Sequence, residues 1–170
     1  MADSSLTDVG LTGAPGHVIQ TVHQASFQGS LNSTGVTTMT ATPNICAITP
    51  KSSGSKILVM VDQPFGANKG TSHSDQGLAY EIWRDIGGAG YALRKNFSST
   101  STNIRVYLLD NDTSVASSIA GGLSYSYLDS PATTSACSYR IYMGQWSARS
   151  NIESNPWEQM TTWVLQEIAQ

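Results

Sequence analysis

Between residues 138 and 143, apolar and polar side chains alternate: Tyr139, Ile141 and Met143 fall on one face of an extended strand, Arg140 and Tyr142 on the other. Short β-branched or aromatic runs of this kind recur along the chain, separated by clusters of Gly, Asn, Ser and Pro. They predict strands over 17–23, 36–40, 45–49, 56–61, 80–86, 104–109, 123–128 and 138–143. The run Lys56-Ile-Leu-Val-Met-Val61 is apolar on nearly both faces, as in a central strand covered on each side. Gly87-Gly88-Ala89-Gly90 can supply positive φ at a reversal. Asp110-Asn111-Asp112 is a turn composition whose side chains bond nearby backbone amides. Many short strands at this spacing predict an all-β fold, an antiparallel β-sandwich of jelly-roll form, with less than about a tenth helix.

The two ends read differently from the middle. Residues 1–15 are polar, glycine-containing and without periodicity, and are expected to serve as an N-terminal attachment arm; residues 16–170 form a single β-sandwich domain. At the C-terminal end two readings compete. Asn155-Pro156-Trp157-Glu158 has the form of a helix start, and Trp157, Met160, Val164 and Ile168 have helical spacing. Thr161-Thr162-Trp163-Val164 is instead rich in strand formers.

Composition narrows the function classes. Only 12% of the residues are charged, against about 25% in a typical soluble domain. Serine and threonine supply roughly a quarter of the chain. Such a surface is built from hydroxyls and amides, and low charge suits a chain whose surface meets identical neighbours. The net charge of -3 and nine scattered Lys and Arg argue against nucleic acid as a partner. No apolar run approaches the roughly 18 residues that span a bilayer, so no membrane insertion is expected. The first residues lack the basic and apolar regions of a signal peptide, which points to synthesis and assembly in a cytoplasm. Two cysteines, Cys46 and Cys137, make a disulfide framework unsuited to this chain; both sit in strand-like runs and read as buried free thiols.

Motifs for chemistry are weak. No phosphate-binding loop, dinucleotide fingerprint, zinc pattern or metalloprotease helix occurs. His73-Ser74-Asp75 holds the residue types of a hydrolytic triad, yet three adjacent residues on one loop rarely place the base between nucleophile and acid. His17 and His23 share strand parity but would lie about 20 Å apart, too far to share a metal. Asp110 and Asp112 lack the further acidic anchor of a calcium site. Asn32, Asn96 and Asn111 begin glycosylation sequons, which chance explains in a Ser/Thr-rich chain. No catalytic residue, metal or cofactor is assigned. Trp83 and Trp163 lie in strand-like runs and read as core. The irregular stretch 144–157 carries Trp146 and Trp157 with Arg149 and Asn151, a mixture of rings, guanidinium and amide suited to gripping a sugar or a protein receptor.

Five segments in order resemble the small β-sandwich modules of virion and tail-fibre-type proteins of aquatic (marine and cyanobacterial) bacteriophages. They are Gly16-His-Val-Ile-Gln20, Ile48-Thr-Pro-Lys-Ser-Ser-Gly-Ser-Lys-Ile-Leu-Val59, Ala79-Tyr-Glu-Ile-Trp-Arg84, Tyr127-Leu-Asp-Ser-Pro-Ala-Thr-Thr-Ser-Ala-Cys-Ser-Tyr-Arg140 and Thr162-Trp-Val-Leu-Gln-Glu-Ile168. The resemblance covers most of 16–168 and implies a strand, not a helix, at the C-terminal end. It implies no activity. In that family the module commonly ends a longer chain, whereas about fifteen residues precede it here. A short arm fits a capsid decoration (cement) protein, a short spike or a fibre tip better than a long fibre. The expectation is therefore a non-enzymatic homotrimer on the virion surface, assembled in the host cytoplasm and bound to other capsid or tail proteins. The alternative is a carbohydrate- or receptor-binding adsorption module of the phage tail, contacting a host surface glycan or receptor.

Overall fold

Along the strand Cys137–Gln145, Cys137, Tyr139, Ile141 and Met143 are buried, while Ser138, Arg140 and Tyr142 are half-buried on the other face. That two-residue period organises the whole domain. The computed structural model describes residues 14–34, 38–69, 75–95, 104–109, 116–145 and 150–170. Among them are eleven strands: β1 Val18–Ser26, β2 Asn32–Thr34, β3 Thr40–Ile48, β4 Lys56–Lys69, β5 Asp75–Ile86, β6 Ala92–Lys95, β7 Ile104–Leu109, β8 Ser117–Asp129, β9 Cys137–Gln145, β10 Ser150–Ser154 and β11 Thr161–Ile168. A single 3-10 turn, Pro156–Glu158, separates the last two.

The strands form two antiparallel sheets. In the first, β4 is long enough to carry β11 along 56–62 and β10 along 65–69 on one edge, with β8 along its full length on the other. β1 continues the sheet outside β11, and β2 outside β10. In the second sheet, β3 pairs with β9, β9 with β5, and β5 carries β7 and β6 end to end. Counting each end-to-end pair as one strand leaves eight, with spatial orders 1-8-3-6 and 2-7-4-5. First pairs with last, second with seventh, third with sixth and fourth with fifth. This is a long hairpin rolled into a sandwich, the jelly roll.

The core lies between the two sheets. Ile57, Val59 and Val61 of β4 and Trp163 and Leu165 of β11 face Leu78, Tyr80 and Ile82 of β5 and Tyr139, Ile141 and Met143 of β9. Each large apolar side chain withdrawn from water in this way contributes about 1.5–3 kcal/mol. Phe65 meets Tyr80 edge to face at 6.4 Å, joining the sheets through aromatic contact. A buried ion pair adds a polar staple: Arg84 Nη1 of β5 lies 2.5 Å from Asp129 Oδ2 of β8, and the Tyr139 hydroxyl of β9 donates to the same oxygen at 2.8 Å. Cys46 and Cys137 are buried free thiols, as expected; burial pushes Cys46 up to about 11.

Several sequence expectations change in detail. The predicted strands 36–40 and 45–49 become β3, Thr40–Ile48, with a register shift between Ala41 and Ile45; Pro43, which has no N–H for the ladder, sits inside it. Residues 35–37 lie outside the described residues. β4 is central, yet only its inward face is covered: Leu58 and Met60 point outward and are half-buried. Trp83 is not core. It stands half-buried on the outer face of the second sheet, stacked on Tyr142 at 4.5 Å, because β5 parity turns Leu78, Tyr80 and Ile82 inward instead. The strand reading holds for 161–168, where Thr161, Trp163, Leu165 and Glu167 are buried in alternation. The glycine turn is as expected, with positive φ at Gly87, Gly88 and Gly90.

Candidate functional site, a groove beside Trp157

The rank formed by β10 and β11 is broken at 155–160, and the break is held in an unusual backbone state. Asn155, Trp157 and Glu158 have φ of 53°, 53° and 59°, the left-handed region that side-chain-bearing residues rarely enter. Such a conformation costs about 1–2 kcal/mol per residue, least for Asn. Asn155 anchors the turn. Its buried carboxamide donates to the Gln159 carbonyl at 2.6 Å and to Thr161 Oγ1 at 2.8 Å. Its oxygen accepts from Asn44 Nδ2 at 2.5 Å and Gln63 Nε2 at 2.9 Å. Thr161 Oγ1 in turn donates to Gln63 Oε1 at 3.1 Å, and Asn155 N–H donates to the Pro64 carbonyl at 3.0 Å. Both donors and the acceptor of the carboxamide are thus used, and the turn is tied to β3, β4 and β11 at once.

The consequence is the placement of Trp157, 78% exposed at the rim of a groove of about 680 Å³. The groove lies on the outer face of the first sheet. Its floor follows from register: Asn32 of β2 opposes Glu153 of β10, Glu153 opposes Gly66 of β4, and Gly66 opposes Ala120 of β8. In the neighbouring row Asn151 opposes Asn68, which opposes Ser118. Gly66 and Ala120 leave the centre of the floor low. A Cβ on Gly66 would lie 3.6 Å from Cβ of Pro156, which with Trp157 forms one wall.

Of the contact residues expected from sequence, Asn151 and Trp157 meet in this groove, whereas Trp146 and Arg149 lie outside the described residues. Asn32, Asn68, Glu153 and Gly66 were not singled out as contacts. Asn32 read only as the start of a sequon. The alternation of β10, with Ile152 inward and Asn151 and Glu153 outward, was the local signal that could have placed a strand here.

Other clusters close on themselves. On the outer face of the second sheet, Trp83 Nε1 donates to Glu81 Oε2 at 2.9 Å, Tyr142 stacks on Trp83, and the Arg140 guanidinium lies 5.6 Å from the Tyr91 ring. In the buried Arg84–Asp129–Tyr139 cluster, burial and then the Asp129 charge hold the Tyr139 phenol well above its usual range. For Arg84, burial opposes the charge, but the hydrogen bond and charge of Asp129 outweigh it and raise the group. This cluster has the chemistry of a staple between sheets. His73 and Ser74 of the triad-like run, and Asp110 and Asp112, lie outside the described residues. Among the described residues no group of three or more His, Cys, Asp or Glu is arranged to hold a metal.

No family model matches the chain, and no curated protein is similar to it in sequence. Among solved structures it is similar to the CBM22-1 xylan-binding domain of Paenibacillus barcinonensis Xyn10C, at 12% identity and a TM-score of 0.31, over 92% of this chain and 97% of that one. It is also similar to a chain of infectious bursal disease virus, Gt strain, at 11% identity and a TM-score of 0.35, over 90% of this chain and 39% of that one.

Proposed function

We propose that the chain is a non-enzymatic structural subunit of a bacteriophage particle, working as a homotrimer on the virion surface. The observation that carries this reading is an apolar patch on the outer face of the first sheet. Leu128 of β8, 51% exposed, opposes Leu58 of β4; in the next row Met60 opposes Val164 of β11. These side chains belong to neither the core nor the groove, and the inward faces already form a complete core without them. Apolar side chains left outside the core in this way, exposed at Leu128 and half-buried at Leu58, Met60 and Val164, suit burial against identical neighbours, and closed threefold symmetry ends the association. The ordered resemblance across 16–168 and the weakly charged, hydroxyl-rich surface support a virion component. Residues 1–15 are the segment assigned to fastening the subunit to capsid or tail. Light scattering of the isolated protein tests the oligomer: a mass about three times 18.1 kDa is expected, and a mass of 18.1 kDa at micromolar concentration refutes it. Mass spectrometry of purified particles, heads separated from tails, tests the location.

A second reading is favoured by the groove. An adsorption module that contacts a host glycan or receptor needs an accessible aromatic ring beside convergent polar groups, and Trp157 with Asn151 and Glu153 supplies both. The two readings are compatible, since a surface trimer can carry a receptor site on each subunit.

A further inference from the structure

Building on the adsorption reading of the groove, we infer that its ligand is a neutral oligosaccharide stacked on Trp157. An aromatic ring exposed at the rim offers an apolar face to the C–H face of a pyranose. Asn32, Asn68 and Asn151 can each donate and accept, and Glu153 accepts, which matches the mixed donors and acceptors of sugar hydroxyls. The sign of the charge selects among sugars. Among the described residues lining the groove, Glu153 is the ionisable one, and no Lys or Arg faces it. Against these described residues a uronate, sialic acid or phosphate would meet the Glu153 carboxylate and no cation.

Shape supports the same class. The floor crosses β2, β10, β4 and β8, four strands about 4.8 Å apart, so it spans ~14 Å and suits a short chain of sugar rings. It is the face of a sheet, not an edge, so a peptide cannot extend the hydrogen-bond ladder there. The strained turn gives an independent reason to assign Trp157 a role. Left-handed backbone at non-glycine residues persists where surrounding structure holds it, and here a buried network at Asn155 presents a tryptophan to solvent. Asn155 is the positioning residue; Trp157 makes the contact.

The test uses the full chain. Xylohexaose, cellohexaose, mannohexaose and N-acetylchitohexaose, with oligogalacturonate and sialyllactose as acidic counterparts, are titrated calorimetrically, and a glycan array covers wider chemistry. At least one neutral oligosaccharide should bind, and Trp157→Ala should weaken it at least tenfold with an unchanged circular-dichroism spectrum and Tm. Gly66→Ala provides a second variant, since a Cβ at Gly66 meets its neighbours only at ordinary contact distances, 3.6–3.8 Å, and raises the floor. Absence of binding to every neutral glycan, tighter binding of acidic ones, or binding that survives both substitutions overturns the inference. Labelled protein on bacterial envelopes separates this from the adsorption reading. Envelope binding that needs Trp157 but survives periodate oxidation of the sugars refutes the glycan and leaves adsorption standing. Glycan binding with no attachment to any envelope refutes adsorption and leaves the glycan.

Discussion

Replacing Asn155 with alanine removes a side chain that ties the Trp157 turn to three strands. Asn44 Nδ2 would lose its Asn155 acceptor within a buried site, and a buried amide left unpaired costs about 1–3 kcal/mol. Gln63 Nε2 is less affected, because it also donates to the Pro64 carbonyl at 2.8 Å. Thr161 Oγ1 keeps Gln63 Oε1 but loses a donor, about 1 kcal/mol. Alanine also fits the φ of 53° less well than asparagine, adding about 1 kcal/mol. The sum is a destabilisation of about 3–5 kcal/mol, a large share of the stability of a typical domain. Asn155→Gly keeps the left-handed backbone without strain and should recover about 1 kcal/mol of that loss. Urea unfolding followed by tryptophan fluorescence measures both, since Trp163 is buried in the core. A loss below about 1 kcal/mol for Asn155→Ala, or a glycine variant less stable than the alanine one, would refute the network as what holds the turn.

Asp129→Ala leaves the Arg84 guanidinium, 7% exposed, without its carboxylate and should cost about 3–5 kcal/mol, while Tyr139→Phe should cost about 1 kcal/mol; chemical denaturation distinguishes them. Glu167 is desolvated, which raises its pKa, but bonds from Lys51 N–H, Gln20, Ser55 and Ser52 N–H outweigh burial and leave it below its ordinary 4.5. The unfolded chain therefore binds more protons at this site, so its contribution is fully present above about 4.5 and fades as pH falls through the lower folded value. Glu167→Gln should flatten the acid limb of a Tm-versus-pH curve. Burial pushes the thiols of both Cys46 and Cys137 up, so neither should react with a disulfide reagent at pH 8 until the protein is unfolded in denaturant.

The strands were legible where their signal was local. Alternation in 138–143 and the run 104–109 marked β9 and β7, and the glycines at 87–90 marked the reversal after β5. The all-β sandwich and its jelly-roll form also followed from strand spacing. Trp83 was misplaced because an aromatic in a strand has two faces to choose from, and parity against Leu78, Tyr80 and Ile82 decides which. Asn151 and Trp157, expected as contacts from their types, both line the groove, but Asn32, Asn68 and Gly66 join it only through register across β2, β10, β4 and β8.

Residue order by itself determined what a chain can settle within a few residues: extended backbone, turn positions, and the two-residue alternation of strands such as 138–143. Tertiary structure decided the rest, above all the turn at 155–158. Local signals there offered a helix start, because Asn-Pro followed by an acid is what a first helical turn contains. The outcome was set by hydrogen bonds from Asn44 and Gln63, residues 111 and 92 positions away in the chain, which hold Asn155 left-handed. A preference worth a fraction of a kcal/mol per residue yields to a buried amide network worth several, and only folding brings that network together.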